Sequence, residues 1–252
     1  MIPENPPGPI VRNEIQQAAN QNGWRIDDGV ENGWVLRRSA SAPGRVAIAG
    51  AGPHGPWFLA VDHPGVAGEL GVAVADIPGP GVARFMLGDP GTLHSTLGRV
   101  WDLSVALPDQ PLRRFEREIA ALPRETEAER LVVQRKGQDL FRESLLVYWR
   151  SCCPLSGITD TQLLKASHMK PWADCETDAE RLDPYNGLLL SALWDAAFDT
   201  GLISFNDGGQ LLVSPQLSAT AREALGTASS IPLGYAHQPY MQWHRDKVFV
   251  AE

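Results

Sequence analysis

Apolar residues recur three and four apart at Val11, Ile15, Ala18 and Ala19, which predicts an amphipathic helix that Asn22-Gly23 stops. Beyond it the period shortens. Residues 33–38, 45–49 and 56–61 are brief β-prone runs bounded by Gly, Pro and Ser, and predict a small antiparallel sheet. Leu87-Gly88-Asp89-Pro90-Gly91-Thr92 then opens a short helix over residues 93–102. These elements describe a small α+β domain of about a hundred residues.

Pro108 and Pro111 mark a boundary, which divides the chain into domains 1–108 and 109–252. Two helices are expected next, over 112–122 and 126–149. The second carries Leu131, Val132, Leu140, Phe141, Leu145, Leu146 and Tyr148, with Gly137 placed to split it. Cys153-Pro154-Leu155-Ser156-Gly157 reads as a turn, and residues 163–167 as a strand leading to His168. Residues 174–183 form an acidic loop or helical turn, 187–190 a strand, and 192–198 a helix that Ser191 caps. Strands 202–205 and 211–213 make a hairpin around Asn206-Asp207-Gly208-Gly209. The fold class expected is α+β, a small N-terminal domain joined through a helical segment to a mixed C-terminal one.

With 252 residues and 43% hydrophobic content, the chain can build a real core, which excludes a disordered or fibrous protein. It has no apolar run of about 18 residues, and its start has neither the basic nor the apolar segment of a secretory signal, so a soluble, cytoplasmic protein with no membrane partner is expected. Cys152, Cys153 and Cys175 are odd in number and form no CxxC pair, which predicts reduced, partly buried thiols. The formal charge of −8 argues against a broadly basic, DNA-coating surface. The balance is uneven, however: residues 111–150 hold nine Lys and Arg against seven Asp and Glu. A bound polyphosphate would find its counter-charge densest there.

One polar constellation offers a reaction. Phosphodiester hydrolysis needs a base for water, a cation to absorb charge, and a scaffold that holds both near one phosphate. His168, at a strand end, suits the first task because imidazole titrates near neutrality. Asp195 and Asp199, four apart on a helix, share one face and suit a hard cation, Mg2+ or Mn2+. Asn186 is no base, but its amide can bridge the loop after His168 to the next strand and orient the imidazole, or its carbonyl can serve as a ligand.

Ala166-Ser167-His168-Met169-Lys170-Pro171-Trp172, Asn186-Gly187-Leu188-Leu189-Leu190 and Asp195-Ala196-Ala197-Phe198-Asp199 together resemble the HNH endonuclease signature, in the branch with NGLLL and a helix ending in FD. Upstream, Arg135-Lys136-Gly137-Gln138-Asp139-Leu140-Phe141-Arg142 and Cys153-Pro154-Leu155-Ser156-Gly157 are similar to segments that often precede the motif. Pro239-Tyr240-Met241-Gln242-Trp243-His244-Arg245 is similar to its closing segment. The resemblance implies a ββα-metal nuclease domain within 109–252, with His168 as general base, Asn186 as orienting residue, and Asp195 and Asp199 as metal ligands. Two positions depart from the pattern. Asp195 replaces the motif's last histidine, away from a zinc or nickel preference, and Ser167 stands where many members carry a ligating Asp or His.

The implied activity is metal-dependent, restriction-like cleavage of double-stranded DNA, with the N-terminal domain selecting the target. The alternative is a catalytically weak or inactive HNH-fold protein that binds nucleic acid or another partner. Candidate DNA contacts are Arg135, Gln138, Arg142, Lys165, Lys170, His244 and Arg245. A second copy of the chain is a further candidate partner. Trp34, Arg37, Arg38, Trp57 and Phe58 are candidates for a modified-base pocket, and Trp172 and Trp194 are expected in the core.

Overall fold

The computed structural model describes residues 2–123 and 126–251; Arg124 and Glu125 of the basic stretch therefore lie outside the described residues. The chain divides into two compact units, Met1–Val105 and Ala106–Glu252. Among the described residues no helix is long and apolar enough to cross a membrane.

The first unit is a five-stranded antiparallel sheet with helices. Its elements are α1 (Pro9–Gln21), β1 (Ile26–Glu31), β2 (Trp34–Arg38), β3 (Arg45–Gly50), β4 (Trp57–Val61), α2 (Pro64–Glu69), β5 (Ala83–Leu87) and α3 (Pro90–Ala106). Strands follow in chain order, each paired to the next. Because side chains alternate across a strand, the sheet builds two apolar layers. Trp34, Leu36, Ala47, Ala49, Phe58 and Ala60 form one cluster. On the opposite face, a Cβ at Gly50 would touch Val11 of α1, so Val46 and Ile48 face that helix. β1 and β5 were not expected: β1 is almost wholly exposed and so lacks an apolar alternation to find.

Two of the five residues expected in a modified-base pocket, Trp57 and Phe58, correct that expectation, and the two arginines have acidic partners. Trp57 and Phe58 are fully buried, Arg37 lies against Asp27, and Arg38 pairs with Asp28 at 2.9 Å. Trp34 borders a cleft of about 530 Å³, beside Asn5, Asn32, Pro78 and Pro80.

The second unit runs α4 (Gln110–Ile119), α5 (Glu127–Tyr148), β6 (Leu164–His168), α6 (Asp178–Leu182), β7 (Gly187–Ser191), α7 (Ala192–Asp199), β8 (Ile203–Phe205), β9 (Leu211–Val213), α8 (Ala219–Leu225) and α9 (Gln238–Lys247). Thr126 caps α5 in a reciprocal box with Glu129, which satisfies two N–H groups at the helix start. Gly137 does not split α5, contrary to expectation. A Cβ there would run into Trp172, so the glycine serves close packing rather than a break. The C-terminal half of α5 buries Leu140, Phe141, Leu145 and Tyr148, whereas Leu131 and Val132 stay exposed. Ser191 precedes α7 but makes no side-chain cap. Cys153 and Cys175 are buried, Cys152 is half-buried, and all three are free thiols.

Candidate active site

β6 and β7 form a two-stranded antiparallel hairpin in which His168 pairs with Gly187 and Ser167 with Leu188. The entry to β6 is fixed from α5: Arg142 donates to the carbonyls of Leu164 at 2.7 Å and Thr161 at 2.6 Å. Two charged hydrogen bonds to main-chain oxygens set where the strand begins.

His168 occupies the last position of β6. Its Nε2 lies 2.9 Å from the Arg181 carbonyl oxygen. A carbonyl only accepts, so Nε2 carries the hydrogen and Nδ1 keeps the lone pair. The ring stacks on Phe141, with centroids 3.7 Å apart and planes 14° from parallel, and meets the edge of Trp172 at 5.8 Å. Burial holds the imidazole's pKa down at about 4, against a smaller upward pull from the Arg181 carbonyl. Near neutral pH the ring is therefore uncharged, with a free lone pair.

Asn186 is wholly buried one residue before β7. Its Oδ1 accepts from the Lys170 N–H at 2.8 Å, and its Nδ2 donates to the carbonyls of Lys170 and Glu180, each at 3.1 Å. The amide thus pins the segment after His168 to the segment before β7, and its carbonyl oxygen is engaged within the protein rather than open to a ligand. Arg181 closes the same loop. Its guanidinium donates to Asp178 and to the carbonyls of Trp172 and Cys175, while its own carbonyl receives His168.

The strand's other face carries the acids. Neighbouring strand residues point oppositely, and Ser167 donates to Asp195 of α7 at 2.5 Å while His168 turns toward α5 and α6. Asp199, four residues on, has its carboxyl pushed up to about 6, first by burial and then by the negative charge of Asp195. Neither carboxylate has an ion-pair partner among the described residues. Carboxylate oxygens are ligands of the kind that a hard divalent cation takes. No group of three or more His, Cys, Asp or Glu side chains suited to an ion occurs among the described residues, so an ion there would keep several waters.

Residues 153–206 match the HNH endonuclease family model. The matched segment contains β6, β7, α7 and β8, so the HNH domain lies in the C-terminal half of the chain. No curated protein matches the chain.

Around the HNH domain the seven expected DNA contacts separate into two groups. Arg135, Gln138 and Lys165 are exposed, and no hydrogen bond or ion pair engages them among the described residues. The remaining four have partners of their own. Lys170 pairs with Glu180 at 2.9 Å. Arg142 is spent on β6, and Arg245 on Asp207, Gln242 and the Phe205 carbonyl. His244 is buried, stacked on Phe198 at 3.8 Å, and bonded through both ring nitrogens to Ser204 and the Phe198 carbonyl. His244, Arg245 and Arg142 thus brace the domain through partners of their own. Trp194 is buried in the core as expected, and Trp172 is half-buried against α5.

Arg181 and Glu180 brace the site and had no signal in the sequence, whereas Phe141 and Tyr240 stood in segments similar to the family's without a role of their own. Tyr240 donates to Asp183 at 2.9 Å and ties α9 to the turn before Asn186. Phe141 did stand inside a quoted motif, and its spacing from Gly137 on one helical face was the available signal.

Proposed function

We propose that the protein is a metal-dependent endonuclease that hydrolyses DNA phosphodiester bonds, restriction-like in layout, with the N-terminal unit choosing the target. The observation that carries this reading is the state of His168 within the HNH match: neutral, tethered at Nε2, and with Nδ1 free.

In the proposed step a water molecule gives a proton to Nδ1 of His168 as its oxygen bonds to phosphorus. The bond from phosphorus to one sugar oxygen breaks, and that oxygen takes a proton from solvent. The approaching phosphodiester is anionic, so it raises the basicity of an imidazole that burial has lowered. Asp195 and Asp199 would hold the divalent cation, magnesium or manganese. Bound there, such an ion supplies positive charge for the phosphate and the departing oxygen. Asn186 keeps His168 in place by holding the loop beyond it. Arg135, Gln138 and Lys165 are the surface groups for the nucleic acid.

A second reading is a binding protein that keeps the scaffold without efficient cleavage. It is favoured by Ser167 at a position where a ligand is expected, and by carboxylates on the strand face opposite the imidazole. Incubation with supercoiled plasmid and magnesium or manganese separates the two. Nicking that vanishes in His168→Ala is expected; tight DNA binding without cutting in either metal overturns the nuclease reading. End-mapping of cut genomic DNA, modified and unmodified, tests the restriction-like role.

A further inference from the structure

We infer that Phe141 is a positioning residue for His168: its ring, seated in space that Gly187 leaves empty, fixes the plane of the imidazole and so the direction of Nδ1. The inference rests on His168 being the base only for its kinetic consequence; the geometry stands by itself.

A single hydrogen bond from Nε2 to the Arg181 carbonyl fixes one point of the imidazole and leaves the ring free to rock about it. The nearly parallel Phe141 face at 3.7 Å removes that freedom on one side, and the Trp172 edge limits it on another. The aromatic ring is in turn held by what lies beneath it. Gly187 pairs directly with His168 across the hairpin, and a Cβ on Gly187 would sit 2.6 Å from Phe141 Cζ and 2.7 Å from Leu145 Cδ1. Glycine is therefore required opposite the histidine so that α5 can lay an aromatic face under the imidazole. Phe141 is itself buried, and Arg142, its neighbour, ties the same turn of α5 to the start of β6. An aliphatic side chain could fill the volume but would present no flat face.

Phe141→Leu is the direct test, Gly187→Ala the independent one because its methyl displaces the ring, and Leu140→Ala a control that opens the neighbouring core. Two readouts are taken: cleavage kinetics on plasmid DNA, and NMR of the His168 ring, using its ring-current shift and long-range nitrogen correlations to read position and tautomer. Phe141→Leu and Gly187→Ala should each lower kcat about 10- to 100-fold with KM within about twofold, as a misdirected reacting group does. Both should abolish the upfield ring-current shift and bring in the second tautomer. Leu140→Ala should melt earlier yet keep the His168 signals and kcat.

A Phe141→Leu protein with the wild-type kcat and a single His168 tautomer overturns the inference, as does a Leu140→Ala protein whose His168 signals change equally. If the wild-type protein fails to cut DNA, the nuclease reading falls, and the NMR comparison alone decides the role of Phe141.

Discussion

The two faces of β6 are built differently. On the histidine face nearly every polar group has a defined partner: Nε2 on the Arg181 carbonyl, the Asn186 amide on Lys170 and Glu180, Arg181 on three acceptors, and Lys170 on Glu180. On the acid face Asp195 has one hydroxyl, from Ser167, and the Asp199 carboxyl is pushed up first by burial and then by the charge of Asp195. A group that must present one lone pair in one direction gains from a rigid, dry surround. Carboxylates that take up a hydrated cation need room and residual negative charge. The asymmetry fits a division of labour in which one side of the strand is preorganised and the other is left open to a ligand.

Removing one residue from each face should break the comparison most strongly. Asn186→Ala strips a buried amide that satisfies several main-chain groups, and should destabilise the protein by roughly 2–4 kcal/mol, because each orphaned buried group costs about 1–3 kcal/mol. Asp195→Ala removes a half-exposed side chain and should leave the melting temperature near that of the wild type while manganese binding by calorimetry disappears. Equal melting of the two proteins, or undiminished manganese binding in Asp195→Ala, would contradict the division.

A second difference concerns acid. His237 and His244 are buried, and burial holds both near a pKa of 4, well below an ordinary histidine at 6.5. Between those values the unfolded chain binds a proton that the folded one does not, so stability falls as pH drops from about 6.5 toward 4 and is unaffected above. The slope is about 1.4 kcal/mol per pH unit for each such histidine. His237 is the cleaner probe. It sits among Tyr148, Trp149 and Tyr185, and its Nε2 has no hydrogen-bond partner among the described residues. In denaturant titrations at pH 7.5, 5.5 and 4.5, His237→Phe should be flatter than wild type by about that slope, and an unchanged slope would refute the assignment.

The histidine, asparagine and helical acids were legible in the sequence because each belongs to a short local pattern: a strand end, a dipeptide before an apolar run, an i, i+4 pair. The two strands and the helix that carry them were legible for the same reason. What stayed hidden was long-range. That Arg142 would bond to Leu164, or His244 to Ser204 and Phe198, depends on how segments 22 to 46 residues apart are brought together. A basic or imidazole side chain in a nuclease-like motif reads as a DNA contact until its partners are known. Gly137 shows the same limit: helix propensity marks it as a break, whereas the close approach of Trp172 makes it a contact. β1 lacked a signal because so few of its side chains are buried.

The smallest effect separates free cations from braced ones. Lys165 lies on the same strand face as Ser167, exposed and without a partner among the described residues, whereas Arg245 is held by Asp207 and the Phe205 carbonyl. A cation that neutralises a phosphate releases about one counterion, so its loss lowers the slope of log K against log salt by about one. Binding to a DNA duplex, measured from about 50 to 200 mM salt in the His168→Ala background to prevent cutting, should show that reduction for Lys165→Ala and a few-fold weaker affinity. Arg135→Ala should behave alike, since Arg135 is also exposed and its side chain has no partner among the described residues. Arg245→Ala should keep the wild-type slope even where its lower melting temperature shows that a brace is gone. Should Arg245→Ala lose a full unit of slope while Lys165→Ala loses none, the nucleic acid would have to follow a path along α9 rather than along β6.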